Sequence, residues 1–212
     1  MLLFPTLVVD DFLDNPDYVL DLAENTEYND PGHTNYPGVV SKNKIYELDQ
    51  QLFDTILEKI FGYYWDLNNP VKFNVEMEFQ KIESNGQGII HLDTTFGALG
   101  AGVIYLNNKP EKDTGTSFYK LLDPDYNIEE QFLDPVARSH AGEHVDGLDN
   151  ICEKHYNMFE ETMRVQNQYN RLVTYDSNVW HTATSYGDQT RYTLRFFINE
   201  LESNHQDFPL RR

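Results

Sequence analysis

The chain has 212 residues, enough for one domain of generous size, and 40% hydrophobic and 14% aromatic residues supply a substantial core. Its 35 acidic against 16 basic side chains leave a formal net charge of -19, which repels phosphate backbones and anionic lipid and so argues against nucleic acid or membrane as direct partners. Cys152 is the single cysteine, the start MLLFPTLVVDDF lacks a basic leader, and no apolar run approaches the roughly 18 residues of a membrane span, so a cytoplasmic, intracellular protein is expected.

Residues 2–9 read as a strand. Asp14-Asn15-Pro16 is a capping signal with proline in the first turn, and Asp17 to Ala23 follows as a short helix. Residues 26–44 carry Asn29, Pro31, Gly32, Asn35, Pro37 and Gly38 and read as an extended loop. Leu52, Phe53, Ile56, Ile60 and Phe61 recur at helical spacing and predict a helix over 48–64. The helical region, about 15–64, is expected to back onto a sheet. From Val71 the period changes to two: Phe73, Val75, Met77 and Phe79 alternate with Asn74, Glu76, Glu78 and Gln80. SNGQG (84–88) reads as a turn, and GIIHLDT (88–94), AGVIYLN (101–107) and TSFYKLL (116–122) as strands. Residues 123–168 are polar and acidic, with a helix expected around Ile151 to Met163, and read as an insertion shaping substrate access. RLVTYD, VWHTATSY and TRYTLRFFIN, spanning 171–199, return to strands. The expected architecture is a single mainly β domain with flanking helices, a double-stranded β-helix or jelly roll.

His91 and Asp93 flank one residue of a strand-like run, so both side chains are expected on one face. His181 lies in a second run, its face shared with Val179, Ala183 and Ser185, small enough to leave room for a ligand. Two imidazoles and a carboxylate can hold one face of a metal ion and leave the others open, an arrangement suited to Fe(II). Arg191, ten residues beyond His181, suits a carboxylate on a co-substrate. A second match, His144-Val145-Asp146, lies in the loop-like SHAGEHVDGLDN, where rigid support is lacking. With His140 it is assigned to the insertion, with a second metal site there as the minor alternative. His33, His155 and His205 are read as structural.

In pattern the chain resembles the Fe(II)/2-oxoglutarate-dependent dioxygenases, the prolyl-4-hydroxylase-like group above all, from about Glu78 to Asn199. His91-Leu92-Asp93 is followed by a strand ending Tyr105-Leu106-Asn107, then Thr114-Gly115-Thr116-Ser117-Phe118, the distal histidine His181, and Gly187 to Tyr192 with Arg191 in the cationic position. The resemblance implies Fe(II) held by His91, Asp93 and His181. It also implies 2-oxoglutarate and O2 as co-substrates, with ascorbate as a compatible reductant, and hydroxylation of a peptide or small-molecule substrate with release of succinate and CO2. By the same resemblance Arg191 clamps the distal carboxylate of 2-oxoglutarate, the Tyr105 hydroxyl hydrogen-bonds to it, Arg195 is the rival clamp, and Thr193 between them adds a hydroxyl. A tyrosine often present upstream of the His-x-Asp turn is missing from Gln80-Lys81-Ile82-Glu83. Two other classes compete: a cupin-like metal protein, which needs neither Arg191 nor Tyr105, and a non-enzymatic jelly-roll binding or virion protein, which needs no metal.

Overall fold

The computed structural model of the chain describes residues 4–29, 38–65, 71–83, 88–140 and 143–203. His33, His205, residues 30–37 of the expected loop and all but Gly88 of the expected turn lie outside these, as do the side chains of Phe96 and His140. Among the described residues nine strands form: β1 (Leu7–Val9), β2 (Val39–Val40), β3 (Val71–Ile82), β4 (Gly100–Tyr105), β5 (Thr116–Leu121), β6 (Phe159–Val165), β7 (Leu172–Asp176), β8 (Trp180–Ala183) and β9 (Arg191–Ser203). They make a six-stranded sheet in the order β1-β7-β4-β9-β3-β2 and a three-stranded sheet in the order β6-β5-β8, antiparallel throughout. The chain passes between the sheets from β4 onward, as a jelly roll requires.

Period-two alternation gives the large sheet two unlike faces. Val75, Met77 and Phe79 of β3 and Leu194, Phe196 and Ile198 of β9 leave one face and enter a core with the helices α1 (Pro16–Asn25) and α3 (Gln50–Tyr64). Asn15 and Asp49 cap these helices by accepting from the Tyr18 and Leu52 amides. The apolar stripe of α3, Phe53, Ile56, Leu57, Ile60, Phe61 and Tyr64, is buried, each side chain of this size contributing about 1.5–3 kcal/mol. The helix expected over 48–64 is thus present from Gln50, after the Asp49 cap, and a separate four-residue helix α2 (Ile45–Leu48) precedes it.

The other face looks inward between the sheets. There Ala101, Tyr105, Val173 and Tyr175 of the large sheet meet Phe118 and Val165 of the small one. The polar alternates of β3, Glu76, Glu78 and Gln80, share this inner side, with Glu78 opposite Arg195 and Gln80 opposite Thr193.

Two expectations need correction. GIIHLDT is not a full strand. His91 makes a single bridge to His181 of β8, and Asp93 then opens a 3₁₀ turn, Asp93–Phe96, closed by Gly97 at φ 83°. The glycine takes the left-handed conformation that ends the turn. The segment 123–168 is not wholly an insertion either. Its end is β6, which pairs with β5 from Thr116↔Val165 to Leu121↔Phe159. FEETMRV buries only its first and last residues, so no alternation announces it. The rest is a π-helical turn Glu129–Leu133, α4 (Asp134–His140) and α5 (Leu148–Asn157), the last earlier than the helix expected at 151–163. No helix among the described residues is long and apolar enough to cross a membrane.

Candidate metal centre

The bridge between His91 and His181 brings the two imidazoles together, 4.5 Å between centroids. The 3₁₀ turn swings Asp93 beneath them, its Oδ1 at 3.4 Å from His91 Nε2 and its Oδ2 at 3.4 Å from His181 Nε2. One ligand atom from each of the three lies within 4.8 Å of the others, the one such His/Cys/Asp/Glu group among the described residues. The tautomers follow from the backbone. His91 Nδ1 meets the Ile89 carbonyl at 2.7 Å and His181 Nδ1 meets the Val179 carbonyl at 2.8 Å. A carbonyl only accepts, so both Nδ1 atoms carry the proton and both Nε2 lone pairs face the carboxylate. Lone pairs opposed across 3.4 Å make no hydrogen bond, and Asp93 Oδ2 is buried without a hydrogen-bond partner. A cation among the three atoms would satisfy all of them, so the donor set fits a divalent metal with open positions.

The electrostatics carry the same demand. Burial pushes the His181 imidazole down to about 4, against the pull of Asp93. Burial also opposes charge on His91, but the neighbouring Asp93 outweighs it and raises His91. Asp93 is lowered although burial works against it, because His181, His91 and Arg195 together outweigh that effect. The side chain of His91 is 38% exposed while those of His181 and Asp93 are 6% and 4%, so the centre opens on the His91 side.

Arg191 starts β9 on the inner face and is buried, its guanidinium 5.5 Å from the Tyr105 ring and 5.8 Å from the Tyr186 ring. Its Nε has no hydrogen-bond partner, and it forms no ion pair among the described residues. Arg195, four residues on along the same face, differs: its Nε and Nη2 donate to Glu78 Oε1 at 3.1 and 2.5 Å, and Lys44 takes Glu78 Oε2 at 2.5 Å. Burial would raise Glu78, but these two cations hold it below the usual carboxylate range. The Tyr105 hydroxyl shares a 2.6 Å hydrogen bond with Thr116 Oγ1, and Thr193, opposite Tyr105, is buried beside them.

Sequence reading missed three participants. Glu78 passes for the solvent face of an alternating strand, although that face looks into the lumen. Lys44 reaches it from the N-cap of α2. Tyr175 is packed on His181, 4.5 Å between centroids, but sits in LVTYD, where all five residues are buried and nothing marks one as special. His144 and Asp146 touch at 2.9 Å but are 87% and 98% exposed, and no third ligand joins them among the described residues. Tyr119 and Trp180 pack with Ile90, Tyr126 and Phe159 in a small core beneath His91.

A family model described as a family of unknown function, DUF6445, matches residues 4–189. None of the curated protein sequences matches the chain. Among solved structures, a prolyl hydroxylase from Trichoplax adhaerens, in complex with a hypoxia inducible factor peptide fragment, aligns at TM-score 0.52 and 11% identity over 91% of this chain and 82% of that one. HygX from Streptomyces hygroscopicus, with nickel and 2-oxoglutarate bound, aligns at 0.51 and 13% over 91% and 82%. A prolyl 4-hydroxylase from Phytophthora capsici aligns at 0.50 and 13%, where the chain spans 60% of that protein. At these identities the likeness is one of fold.

Proposed function

The chain belongs to DUF6445, a family of unknown function, and we propose that it is an Fe(II)- and 2-oxoglutarate-dependent oxygenase. The observation that carries this is a pair of buried, unsatisfied polar groups in one lumen: Asp93 Oδ2 within a His-Asp-His group and Arg191 Nε beyond it. A metal site alone accounts for the first. A buried cation without a counter-ion calls for an anionic ligand as well, which a cupin-like metal protein or a non-enzymatic jelly roll does not need.

On this reading His91, Asp93 and His181 hold Fe(II), their Nδ1–H···O=C bonds fixing both rings with Nε2 inward. Bound there, the metal would couple dioxygen reduction to decarboxylation of the 2-oxo acid and oxidation of a C–H bond. The protein's own part is positioning. Arg191 takes the distal carboxylate of 2-oxoglutarate as a charge-assisted partner, with Tyr105, Thr116 and Thr193 beside it. Arg195 stays with Glu78 and shapes the wall near Asp93. Phe118 and Tyr175 close the inner side and exclude water, and substrate approaches on the more exposed His91 side.

The deciding experiment is succinate release from 2-oxoglutarate by protein loaded anaerobically with Fe(II), then exposed to air with ascorbate. Peptides, free amino acids and small metabolites are its substrate arms, in line with the peptide bound by the Trichoplax protein. Succinate formation that needs Fe(II) and is lost in His181→Ala is expected. Metal binding with no affinity for 2-oxoglutarate would overturn the proposal in favour of a metal-binding jelly roll.

A further inference from the structure

The ring of Tyr175 has been given a part in closing the site, but its hydroxyl has not, and three features bear on it. First, alternation along β7 points Val173 and Tyr175 into the lumen, and Tyr175 pairs in register with Ala101. A residue without bulk lies beside it on β4, so its side chain extends across toward the small sheet. There its ring packs on His181 at 4.5 Å and on Phe118 at 5.2 Å. Second, it is 6% exposed, yet its hydroxyl makes no hydrogen bond among the described residues. The hydroxyl is not among the fully buried atoms that lack a partner, so it borders space that a ligand can reach, and the ring contacts here would be made equally well by phenylalanine. Third, the groups whose charges act on the phenol are Asp93 and Tyr105 on one count and Arg191 on the other. The phenol therefore lies beside the metal-ligating group and within electrostatic reach of the buried guanidinium. A 2-oxo diacid must run between those two groups if its oxo-acid end meets the metal and its distal carboxylate meets Arg191.

We propose that Tyr175 is a further co-substrate-binding residue, its phenol O–H donating to a carboxylate oxygen of the 2-oxo acid held between the His-Asp-His group and Arg191. This rests on the oxygenase reading above. Tyr105 is differently placed: its hydroxyl already shares a 2.6 Å bond with Thr116, whereas the Tyr175 hydroxyl is uncommitted and gains its partner only from the ligand.

The test is calorimetric titration of 2-oxoglutarate into Mn(II)-loaded wild type, Tyr175→Phe, Tyr105→Phe and Arg191→Met, with Mn(II) affinity measured separately for each. Tyr175→Phe keeps the ring packing and removes only the hydroxyl. It should weaken 2-oxoglutarate by about tenfold to a hundredfold, the range for a hydrogen bond to a charged group, and leave Mn(II) affinity and Tm as in the wild type. The proposal is overturned if Tyr175→Phe binds 2-oxoglutarate like the wild type. It is equally overturned if the loss falls on Mn(II) affinity, because the hydroxyl then serves Asp93. Failure of the underlying reading looks different: the Mn(II)-loaded wild type would not bind 2-oxoglutarate, or Arg191→Met would bind it unchanged.

Discussion

His155 is fully buried on α5, stacked on Phe132 at 3.7 Å, with Nε2 3.2 Å from the Ile90 carbonyl and Nδ1 3.3 Å from the Tyr126 hydroxyl. Since the carbonyl only accepts, Nε2 carries the proton and Nδ1 accepts from Tyr126. Burial pushes its pKa from 6.5 to about 4. The unfolded chain therefore binds a proton that the folded chain refuses. This contribution to stability is complete above pH 6.5 and is lost as the pH falls from 6.5 toward 4. After allowance for screening it amounts to about 1–2 kcal/mol. His155→Gln, which keeps a donor for Ile90, should lower Tm at neutral pH slightly and flatten its acid-side decline; an unchanged slope in a pH series of melts would refute the assignment. At the centre itself, His91→Ala should reduce Mn(II) or Fe(II) affinity by more than the roughly hundredfold seen for outer partners, while His144→Ala leaves it intact. The reverse pattern in a metal titration would move the site to the 144–146 loop. At this scale the meeting of His91, Asp93 and His181 was legible from spacing and context. Their outer partners were not, because Ile89, Val179 and Ile90 act through backbone carbonyls, which no side-chain pattern encodes.

Among the elements, the start of β5 is pressed against the end of β6 at Gly115, the residue just before β5. A Cβ there would lie 1.8 Å from the Val165 carbonyl oxygen and 2.7 Å from the Asn167 amide nitrogen. Backbone cannot retreat as a side chain can, so Gly115→Ala should destabilise by about 3 kcal/mol or more, measured by urea unfolding; a loss under about 1 kcal/mol would mean that the ladder shifts freely. The same closeness explains why deleting 123–168 should fail, whereas the helical part alone is a separate matter. Hydrogen exchange should divide the segment: fast through α4, slower in α5, where Tyr156 donates to the Gly88 carbonyl and His155 to Ile90, and slow in β6. Uniformly fast exchange from 123 to 168 would restore the insertion as first read. The strands β3, β4, β5, β7 and β9 were legible because each buries an apolar alternation or run. β6 was hidden because, as an outer strand of the small sheet, it buries little. The His91 run misled because an apolar stretch leading into a bridge and a 3₁₀ turn has the composition of a strand.

For the molecule as a whole, a net charge of -19 sets up a field that a dianionic co-substrate must climb and a divalent cation descends. The association rate of 2-oxoglutarate should therefore rise with salt and that of Mn(II) should fall, each levelling off as the Debye length drops below about 8 Å. Stopped-flow measurements across ionic strength check both signs, and an association rate for 2-oxoglutarate that falls with salt would point to a local positive funnel around Arg195 and Lys44 strong enough to reverse the global field. The jelly roll itself was legible from the order and spacing of strands, but the orientation of its faces was not, since the polar side of β3 looks inward. A practical consequence follows from β9. Its even-numbered residues Leu194, Phe196 and Ile198 sit in the helix-facing core, and its odd-numbered residues Arg191, Thr193 and Arg195 line the lumen. The proposed ligand contacts and foldedness are thus written on alternate letters of one stretch of chain. A combinatorial library confined to the odd letters should return folded proteins with altered ligand preference at high frequency, and one confined to the even letters should return mostly aggregates, making this strand a natural starting point for redirecting the protein to new co-substrates.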